Sequence, residues 1–422
     1  MTFNDLSIVL QRISDIRRAF ESADKNIYLV GGIVRDLYGN ATNIEQLDID
    51  LTTDATPEEI REIIKPLAEN MWLSGERFGT IGAHINGKII EITTHRSEAY
   101  VSDSRKPIVQ FSKHIEEDLS RRDFTVNSMA IDLSTGEVID PFNGQSDFSI
   151  GVLKTPLDPD ISFSEDPLRM LRAARFACRY DLSPSKEMIK SIKKLAPRLQ
   201  IVSPERIRDE FDKLLSVENP EPGFKLLIKT GVYNHFLPEI NDKNNIRKYG
   251  GYKTLSSLSP IPTVRMAALL LSLSSERCQI RMKELRYSNE RISQTQLLIQ
   301  SLKTIETKPI DKASYRRWYY QIGELKDYAI ELASTNKRFQ EIIYEMEKTE
   351  QSLKNELDDF AVPLTGREVM DLLGIEEGPE IGFALEYLRE IRFQEGPITR
   401  EVAEETIQKW WNHYQGNPKS TG

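Results

Sequence analysis

The chain has little of several residue types on which common protein classes depend. Its 422 residues include only two cysteines and five histidines. Two cysteines cannot build a disulfide framework, so a reducing compartment, the cytoplasm, is expected. No apolar run approaches the roughly 20 residues that cross a bilayer, and the N-terminal segment mixes both signs of charge, so neither a membrane span nor a secretory signal is predicted. No His-Asp doublet occurs, which leaves a phosphohydrolase metal cluster of that kind without ligands.

The net charge also lacks the sign that nucleic acids attract. Lys and Arg number 56 against 65 Asp and Glu, which gives a formal net charge of −9. A protein that binds nucleic acid needs a positive field near the phosphates, so any such field must be local here. Residues 161–215 hold twelve Lys or Arg against eight Asp or Glu, and a modestly basic patch is predicted there.

Two glycines followed by two carboxylates form the most informative early feature. Gly31 and Gly32 end an apolar strand and allow the backbone to approach a phosphate without a Cβ in the way. In a second strand, predicted over 47–52, alternation places Asp48 and Asp50 on one face. A hard divalent cation with oxygen ligands, such as Mg²⁺, would balance the repulsion between them. Taken alone, Asp-x-Asp is more often an exposed strand face, and Gly-Gly more often a turn.

The segment RRDFTVNSMA, which begins at Arg121, supplies the first arginines suited to phosphate. A guanidinium presents a rigid fork of donors to phosphate oxygens and keeps its charge. The alternative is a surface helix with ion pairs four residues apart, such as Glu117 with Arg121.

A helix predicted within 164–179 carries a row of further arginines. Ser164 is a suitable N-cap, and Pro167 is tolerated in a first turn because the amide there has no intrahelical acceptor. One apolar stripe follows the helix spacing and consists of Leu168, Leu171, Ala174 and Cys178. Beside this stripe lie Arg169, Arg172 and Arg175. A solvated basic face is the alternative to a binding ridge.

Alternation and turn residues predict an α/β region over about the first 150 residues, followed by helices. The runs FGTIGAHI and KIIEITT flank Asn86-Gly87 and predict a hairpin, so the sheet should be mixed or antiparallel. No GxGxxG motif accompanies it, which argues against a dinucleotide-binding sheet. The polar segment 241–253 is the best candidate for a linker.

Five motifs in a fixed order resemble those of class II tRNA nucleotidyltransferases and bacterial poly(A) polymerases. They are GGIVRD with DID, RRDFTVNSMA, IDPFNGQSD, EDPLRMLRAARFA and PERIRDEFDKLL. The resemblance covers about residues 25–240, and a later segment, 363–382, is similar to the tail of bacterial CCA-adding enzymes. It implies a polymerase β-like α+β head, with a small mixed or antiparallel sheet and flanking helices, followed by an elongated all-α body. The implied domains are a head with the metal site (1–158), a helical neck that recognises the base (159–240), and a helical body and tail that bind tRNA (241–422).

The resemblance also implies roles for individual residues. Asp48 and Asp50 would be catalytic and hold Mg²⁺, and Asp166 with Arg169 would read the base of CTP or ATP through hydrogen bonds. The full set of implied nucleotide-binding residues is Gly32, Arg35, Arg122, Asp166, Arg169, Arg172 and Arg175. Glu91 occupies a position where polymerase-like folds often carry a third acidic group, although a surface strand glutamate explains it equally well.

The expected reaction is attack of an RNA 3′-hydroxyl on the α-phosphate of CTP or ATP, which adds C, C and A to tRNA. The C-terminal segment is not basic, which disfavours a poly(A) polymerase. The polar segment 96–119 favours the full enzyme over one that adds only CC, because the enzymes of this family that add only CC lack a flexible loop there. Arg105 is a candidate for controlling the change from C to A addition, although an ordinary solvated loop explains this segment about equally well. An enzyme that adds only A stays open, as does oligomeric state. A nucleotide-binding module without catalysis is disfavoured because no motif carboxylate or arginine is replaced.

Overall fold

The computed structural model describes residues 3–39, 49–72, 79–99, 108–307, 310–357 and 359–416. The chain forms two compact units, Met1–Pro238 and Glu239–Gly422. The first contains every described strand, and the second is helical throughout its described residues. This order, a mixed-sheet head followed by helices, confirms the predicted fold class.

A seven-stranded sheet forms the centre of the first unit. The strands are β1 (Ile27–Val30), β2 (Ile49–Thr53), β3 (Asn70–Trp72), β4 (Thr80–Ile85), β5 (Lys88–Thr94), β8 (Ala130–Asp132) and β9 (Val138–Ile139). Their order in the sheet is β3-β4-β5-β2-β1-β8-β9. Only the β2–β5 pair is parallel among the pairs of this sheet, so the sheet is mixed, as predicted. Two smaller pairs are β6 (Arg96–Ala99) with β7 (Ile108–Phe111) and β10 (Val152–Leu153) with β11 (Ser183–Pro184).

The predicted hairpin is present. β4 and β5 are antiparallel, with Ile85 opposite Lys88. Asn86 and Gly87 connect them with φ values of 52° and 73°, the left-handed conformations that a tight two-residue turn of this twist requires. The hairpin orients β5 so that it can lie parallel to β2.

Eleven α-helices surround these strands within the described part of the first unit. They are α1 (Phe3–Arg12), α2 (Ser14–Ser22), α3 (Gly32–Tyr38), α4 (Pro57–Ile64), α5 (Ile115–Ser120), α6 (Gly144–Ser149), α7 (Pro159–Glu165), α8 (Arg169–Arg179), α9 (Lys186–Leu195), α10 (Pro204–Leu215) and α11 (Glu221–Thr230). Apolar residues of α1–α4 pack on one face of the sheet and include Phe20 and Leu37, both almost fully buried. Ile49 and Leu51 of β2 join this core, so the residue between them points to the opposite face.

The predicted start of the arginine-bearing helix is wrong. Ser164 belongs to α7, which ends at Glu165, and α8 begins at Arg169. The reason is Pro167, whose ring disfavours helical backbone in the preceding residue; Asp166 accordingly has φ −131° and ψ 95°. Asp166 therefore lies in a break between two helices and belongs to neither of them.

The second unit is built from ten described α-helices. They are α12 (Lys243–Tyr249), α13 (Pro262–Leu270), α14 (Ser275–Glu284), α15 (Asn289–Thr307), α16 (Lys312–Ile322), α17 (Lys326–Ser334), α18 (Gln340–Leu353), α19 (Gly366–Leu373), α20 (Pro379–Glu395) and α21 (Arg400–Gly416). The proposed linker over 241–253 is wrong as a structural description, because most of it is helical. Asp242 caps α12 by accepting a hydrogen bond from the amide of Asn244 at 2.8 Å. The polar composition of the segment made this N-cap easy to miss. No helix in the described ranges has both the length and the apolarity to cross a bilayer.

Close contact between α8 and α11 depends on Gly223. A Cβ on this residue would lie 2.7 Å from the carbonyl oxygen of Ala174 and 2.8 Å from Sγ of Cys178. The first of these atoms belongs to the backbone of α8 and cannot move without shifting the helix that bears the arginines.

We predict that Gly223→Ala lowers the free energy of unfolding by about 1–3 kcal/mol, the usual range for overpacking. The urea midpoint, followed by far-UV circular dichroism, measures this loss. Gly382→Ala is the matched control, because Gly382 also lies in the first turn of a helix, α20, and its Cβ would meet no atom within 4 Å. That change should leave the midpoint unchanged or raise it, and equal destabilisation by both substitutions would contradict the packing argument.

Candidate active site

The turn between β1 and α3 brings backbone beneath two charged side chains. Gly31 has φ 76° and ψ −136°, a conformation that residues with a Cβ rarely adopt. A Cβ here would lie 3.0 Å from Nη1 of Arg122 and 3.5 Å from Oδ2 of Asp50. Gly31 is thus needed both for the turn and for the approach of these groups, whereas the family resemblance implied a binding role for Gly32. Gly32 begins α3 and lines a cleft together with Asp50.

Asp50 and Glu91 are neighbours on the sheet face that points away from the helical core. The parallel register of β2 and β5 pairs these two residues directly, and both are exposed. They line a cleft of about 220 Å³ to which Arg121 and Arg122 also contribute. The register therefore places Glu91 beside Asp50 at this cleft.

The acidic donors of this cleft suit a divalent cation. Carboxylate oxygens are the ligands that Mg²⁺ and similar hard cations prefer. Asp48, the other predicted metal ligand, lies outside the described residues, so its position beside Asp50 stays a prediction from strand alternation. Within the described ranges, no three His, Cys, Asp or Glu side chains are grouped to hold a metal ion. The two carboxylates fit part of such a site.

Arg122 is held in place by a carboxylate beneath it. Asp118 of α5 is fully buried and pairs with Arg121 at 2.7 Å and with Arg122 at 3.1 Å. Burial alone would raise the pKa of Asp118, but the positive charges of Arg122 and Arg121 outweigh burial and lower this pKa to about 2. Asp118 therefore stays ionised and fixes two guanidinium groups at the edge of the cleft.

The arginine row of α8 is not the solvated basic face that was the alternative to a binding ridge. Arg169 and Arg175 are 8% and 7% exposed, respectively. Arg172 donates a 2.8 Å hydrogen bond to Asp123, and Arg175 donates one of 2.5 Å to Glu210. Burial would raise the pKa of Asp123, but the charge of Arg172 and a hydrogen bond from Asn127 lower it. Each of these two arginines is thus oriented by a buried carboxylate.

A second cleft joins the early acidic group to the arginine row. Its volume is about 330 Å³. Asp50 and Gly32 lie in its wall together with Arg172 and Arg175, although more than a hundred residues separate the two pairs along the chain. The remaining lining residues are Ile33, Arg35, Asp36, Asn127, Phe176, Arg179 and Tyr180. The structure thereby brings together five of the residues predicted to bind nucleotide or metal.

Arg35 connects α3 to the far end of α8. Its guanidinium lies 4.0 Å from the centroid of the Tyr180 ring, donates to Asp36 at 2.8 Å, and also donates to Asn127. Arg35 is 5% exposed. Stacking on an aromatic face and bonding to two polar partners leave this arginine one orientation, with the guanidinium at the cleft.

Asp166 and Arg169, the predicted base-reading pair, are not among the residues that line this second cleft. Asp166 accepts hydrogen bonds from the Leu168 amide at 3.2 Å and from Arg206 at 2.9 Å. Arg169 donates to Oγ of Ser162 at 2.8 Å and to the carbonyl oxygen of Arg121. The hydrogen bond to the Arg121 carbonyl links Arg169 to the segment that carries Arg122.

Sequence reasoning missed the carboxylates that orient the arginines. Asp118 lies just before the motif RRDFTVNSMA, Asp123 lies within it, and Glu210 belongs to another motif. Acidic residues inside or beside otherwise basic motifs were the available signal. Their partners are not visible from local spacing, because Glu210 pairs with an arginine 35 residues away.

The segment 96–119 contains a structured hairpin, in which β6 and β7 pair antiparallel from Arg96 opposite Phe111 to Ala99 opposite Ile108. Arg105 lies outside the described residues. A role for this segment in the change from C to A addition stays a prediction.

We predict that Asp118→Asn lowers the free energy of unfolding at pH 7 by about 3 kcal/mol, because two arginines lose a buried counter-charge. The pKa of Asp118 lies below the ordinary value of 3.8, so its contribution is complete above about pH 4. That contribution is lost as the pH falls toward 2, where wild type and variant should converge. Urea unfolding at several pH values measures the convergence.

Glu117→Gln is the control for that series, because this exposed residue lies on the same helix. The control should match the wild type across the whole pH range. A stability difference between Asp118→Asn and wild type that is as large near pH 2 as at pH 7 would contradict the assigned pKa.

Models of two protein families match the chain over separate ranges. The poly(A) polymerase head domain matches residues 27–154. The probable RNA and SrmB-binding site of polymerase A matches residues 181–244. These ranges include the Asp50 strand and the helices that follow α8.

Named relatives match over most of their own length. The CCA-adding enzyme of Limosilactobacillus reuteri is 29% identical over 405 residues, which cover 92% of this chain and 93% of the relative. That of Lactobacillus helveticus is 32% identical over 285 residues, which cover 67% and 69%, respectively. In fold, the chain is similar to the CCA-adding enzyme of Bacillus stearothermophilus in complex with CTP, with a TM-score of 0.76, 22% identity and coverage of 99% and 100%. The Lactobacillus helveticus relative, at 32% identity over two thirds of the chain, shows that the chain belongs to the CCA-adding enzyme family, in agreement with the head-domain match.

Proposed function

We propose that this protein completes the 3′ end of tRNA by adding C, C and A from CTP and ATP. The observation that carries the proposal is the cleft in which Asp50 meets Arg172 and Arg175. Only such a shared cleft allows one triphosphate to contact acidic and guanidinium groups from distant parts of the chain. The curated relatives are named as CCA-adding enzymes, and a Thermotoga maritima structure of similar fold is described as complexed with tRNA.

Asp50, Glu91 and Asp48 would hold a divalent cation, for which Mg²⁺ is the proposed identity. Such a cation, when bound, lowers the pKa of an attacking hydroxyl and neutralises phosphate charge. The chain itself supplies positioning and electrostatic stabilisation. Arg122, fixed by Asp118, would donate to phosphate oxygens, and Gly31 would let those oxygens come close to the backbone.

Base selection would fall to Asp166 and Arg169. Asp166 offers an acceptor for the exocyclic amino group that cytosine and adenine share, and Arg169 offers donors for the ring acceptors. Arg169 already donates from Nη1 to Ser162 and from Nη2 to the Arg121 carbonyl, and a guanidinium with five N–H donors retains others for a base. Because the Arg121 carbonyl belongs to the segment that holds Arg122, the same side chain would link recognition of the base to binding of the phosphates.

The proposed division of labour follows the implied domains. Residues 1–158 would carry out the reaction, 159–240 would recognise the nucleotide, and 241–422 would bind tRNA. We infer a cytoplasmic location, because tRNA is the proposed substrate and both cysteines are free in the structure.

The test of the proposed function is incubation of the purified protein with CTP, ATP, Mg²⁺ and tRNA transcripts that end before CCA, after C or after CC. Extension of all three to the CCA end is expected. Extension of only the last identifies an enzyme that adds A alone, and long A tails on unrelated RNA identify a poly(A) polymerase. No extension of any transcript would leave a binding module and overturn the proposal.

We predict that Asp50→Asn reduces nucleotide incorporation at least about a hundredfold, a loss typical of removing one preorganised electrostatic group. Asp48→Ala should abolish incorporation as well. Circular dichroism should show an intact fold, because Asp50 is exposed on the sheet face away from the core. The control Glu62→Gln removes an exposed carboxylate from α4 and should retain full activity. Full activity of Asp50→Asn in excess Mg²⁺ would contradict the metal assignment.

We also predict that Tyr180→Leu raises KM for CTP and ATP by about threefold to tenfold, the loss expected for one cation–π contact, with little change in kcat. The physical reason is that Arg35 loses the ring that orients its guanidinium. Tyr180→Phe keeps the aromatic face and should behave as wild type. Equal effects of the two substitutions would assign the role to the hydroxyl instead.

A further inference from the structure

α9 carries a row of lysines that the proposed reaction does not use. Lys186, Lys190 and Lys193 are all exposed. At 3.6 residues per turn they fall within about 60° of one another around the helix and span about 10 Å along its axis. Buried Met188 and Ile192 anchor the other side of the helix to the core. The three ammonium groups therefore form one narrow stripe, here called the α9 lysine stripe.

The stripe is not explained by the stability of the helix. Like charges three or four residues apart repel, and Lys186 with Lys190 and Lys190 with Lys193 have these spacings. Lys186 also lies in the first turn, where the helix dipole disfavours a cation. None of the three lysines forms an ion pair within the described part of the chain, and Glu187 is the one acidic residue of α9. Lys193 alone lies in the last turn, where the helix dipole favours a cation, so the dipole favours one of the three charges and not the row.

A fourth lysine on the same helix, Lys194, differs from these three because it forms an ion pair within the protein. Lys194 pairs with Asp160 of α7 at 2.6 Å, and Ser191 bonds the other oxygen of the same carboxylate. This pair fastens α9 to α7. Lys194 therefore serves as an internal comparison of the same residue type, on the same helix and also exposed.

The position of α9 relates the stripe to the base-reading segment. Asp160 lies at the start of α7 and contacts Lys194, whereas the Ser164 carbonyl, near the end of α7, accepts a 3.1 Å hydrogen bond from Arg198. The chain from Lys194 to Arg198 thus follows α7 toward Asp166. The lysine stripe continues this line in the opposite direction, so that it leads away from the place where the base would bind.

We propose that the α9 lysine stripe binds the phosphate backbone of the tRNA substrate near its 3′ end. The inference rests on the proposed function, because Asp166 must be the place where the incoming base is read. The partner is inferred from charge complementarity. Three ammonium groups without ion-pair partners among the described residues form a row on a chain whose net charge is −9, and such a row complements the phosphates of a linear polyanion. The stripe lies within the range matched by the probable RNA-binding family model.

Binding of tRNA measured against salt concentration tests the proposal. The triple variant Lys186→Gln/Lys190→Gln/Lys193→Gln should reduce the slope of log K against log salt by about 2 and raise Kd for tRNA at least about tenfold at about 0.1 M salt. Because the stripe contacts phosphates and not the nucleotide, kcat at saturating tRNA and KM for CTP should equal those of wild type. The corresponding triple arginine variant keeps the charge and should keep the salt slope. Lys194→Gln should leave the slope unchanged.

The other possible results of these measurements also distinguish between the explanations. A wild-type salt slope and Kd in the triple glutamine variant would overturn the inference, whereas a wild-type protein that extends no tRNA would overturn the proposed function itself. A rise in KM for CTP in that variant would assign the stripe to the nucleotide and also overturn the inference. Loss of the slope in Lys194→Gln equal to that in Lys190→Gln alone would show that the effect follows net charge and not the stripe.

Discussion

Buried ion pairs are the constraint on which the active-site cleft depends. A guanidinium that must grip a phosphate has to sit in a cleft, and a charge removed from water is stable only beside an opposite charge. The structure meets this requirement with Asp118 beneath Arg122, Asp123 against Arg172, and Glu210 against Arg175. Two of these carboxylates are contributed by segments different from those of their arginines. The same pairs that neutralise the cleft therefore also hold α5, α8 and α10 together around it.

The fold was predictable where local pattern and global packing agree. Alternation and Asn86-Gly87 gave the hairpin, and its direction already implied a sheet that is not purely parallel. The start of α8 was not predictable from capping rules, because Ser164 and Pro167 form a plausible N-terminus by composition, while the backbone restriction before proline breaks the helix at Asp166. Two local rules competed there, and the backbone restriction before Pro167 outweighed the capping pattern.

The sequence predicted which residues belong to the site, but it did not predict which of them pair with one another. Asp50 and the arginines followed from motifs, whereas Glu91 became significant only through a parallel register between strands that are not consecutive in the chain. Helix spacing placed the arginines of α8 correctly beside one another. It could not show that Arg175 is buried, since the carboxylate that permits burial is 35 residues away. The role of Tyr180 was not predicted either, because its partner Arg35 is distant in the sequence and belongs to the first helix after the glycine turn.

This pairing also explains how an acidic protein can act on RNA. Because Asp118, Asp123 and Glu210 neutralise the cleft arginines, those arginines offer short-range hydrogen bonds and project little long-range field. Attraction of an extended polyanion then has to come from cations that are not internally paired. In the proposed mechanism these are two separate tasks. The paired arginines would orient one nucleotide, and the unpaired lysines on exposed helix surface would set the affinity for the RNA backbone and its dependence on salt. A net charge of −9 is compatible with both, since neither task depends on the average over the whole surface.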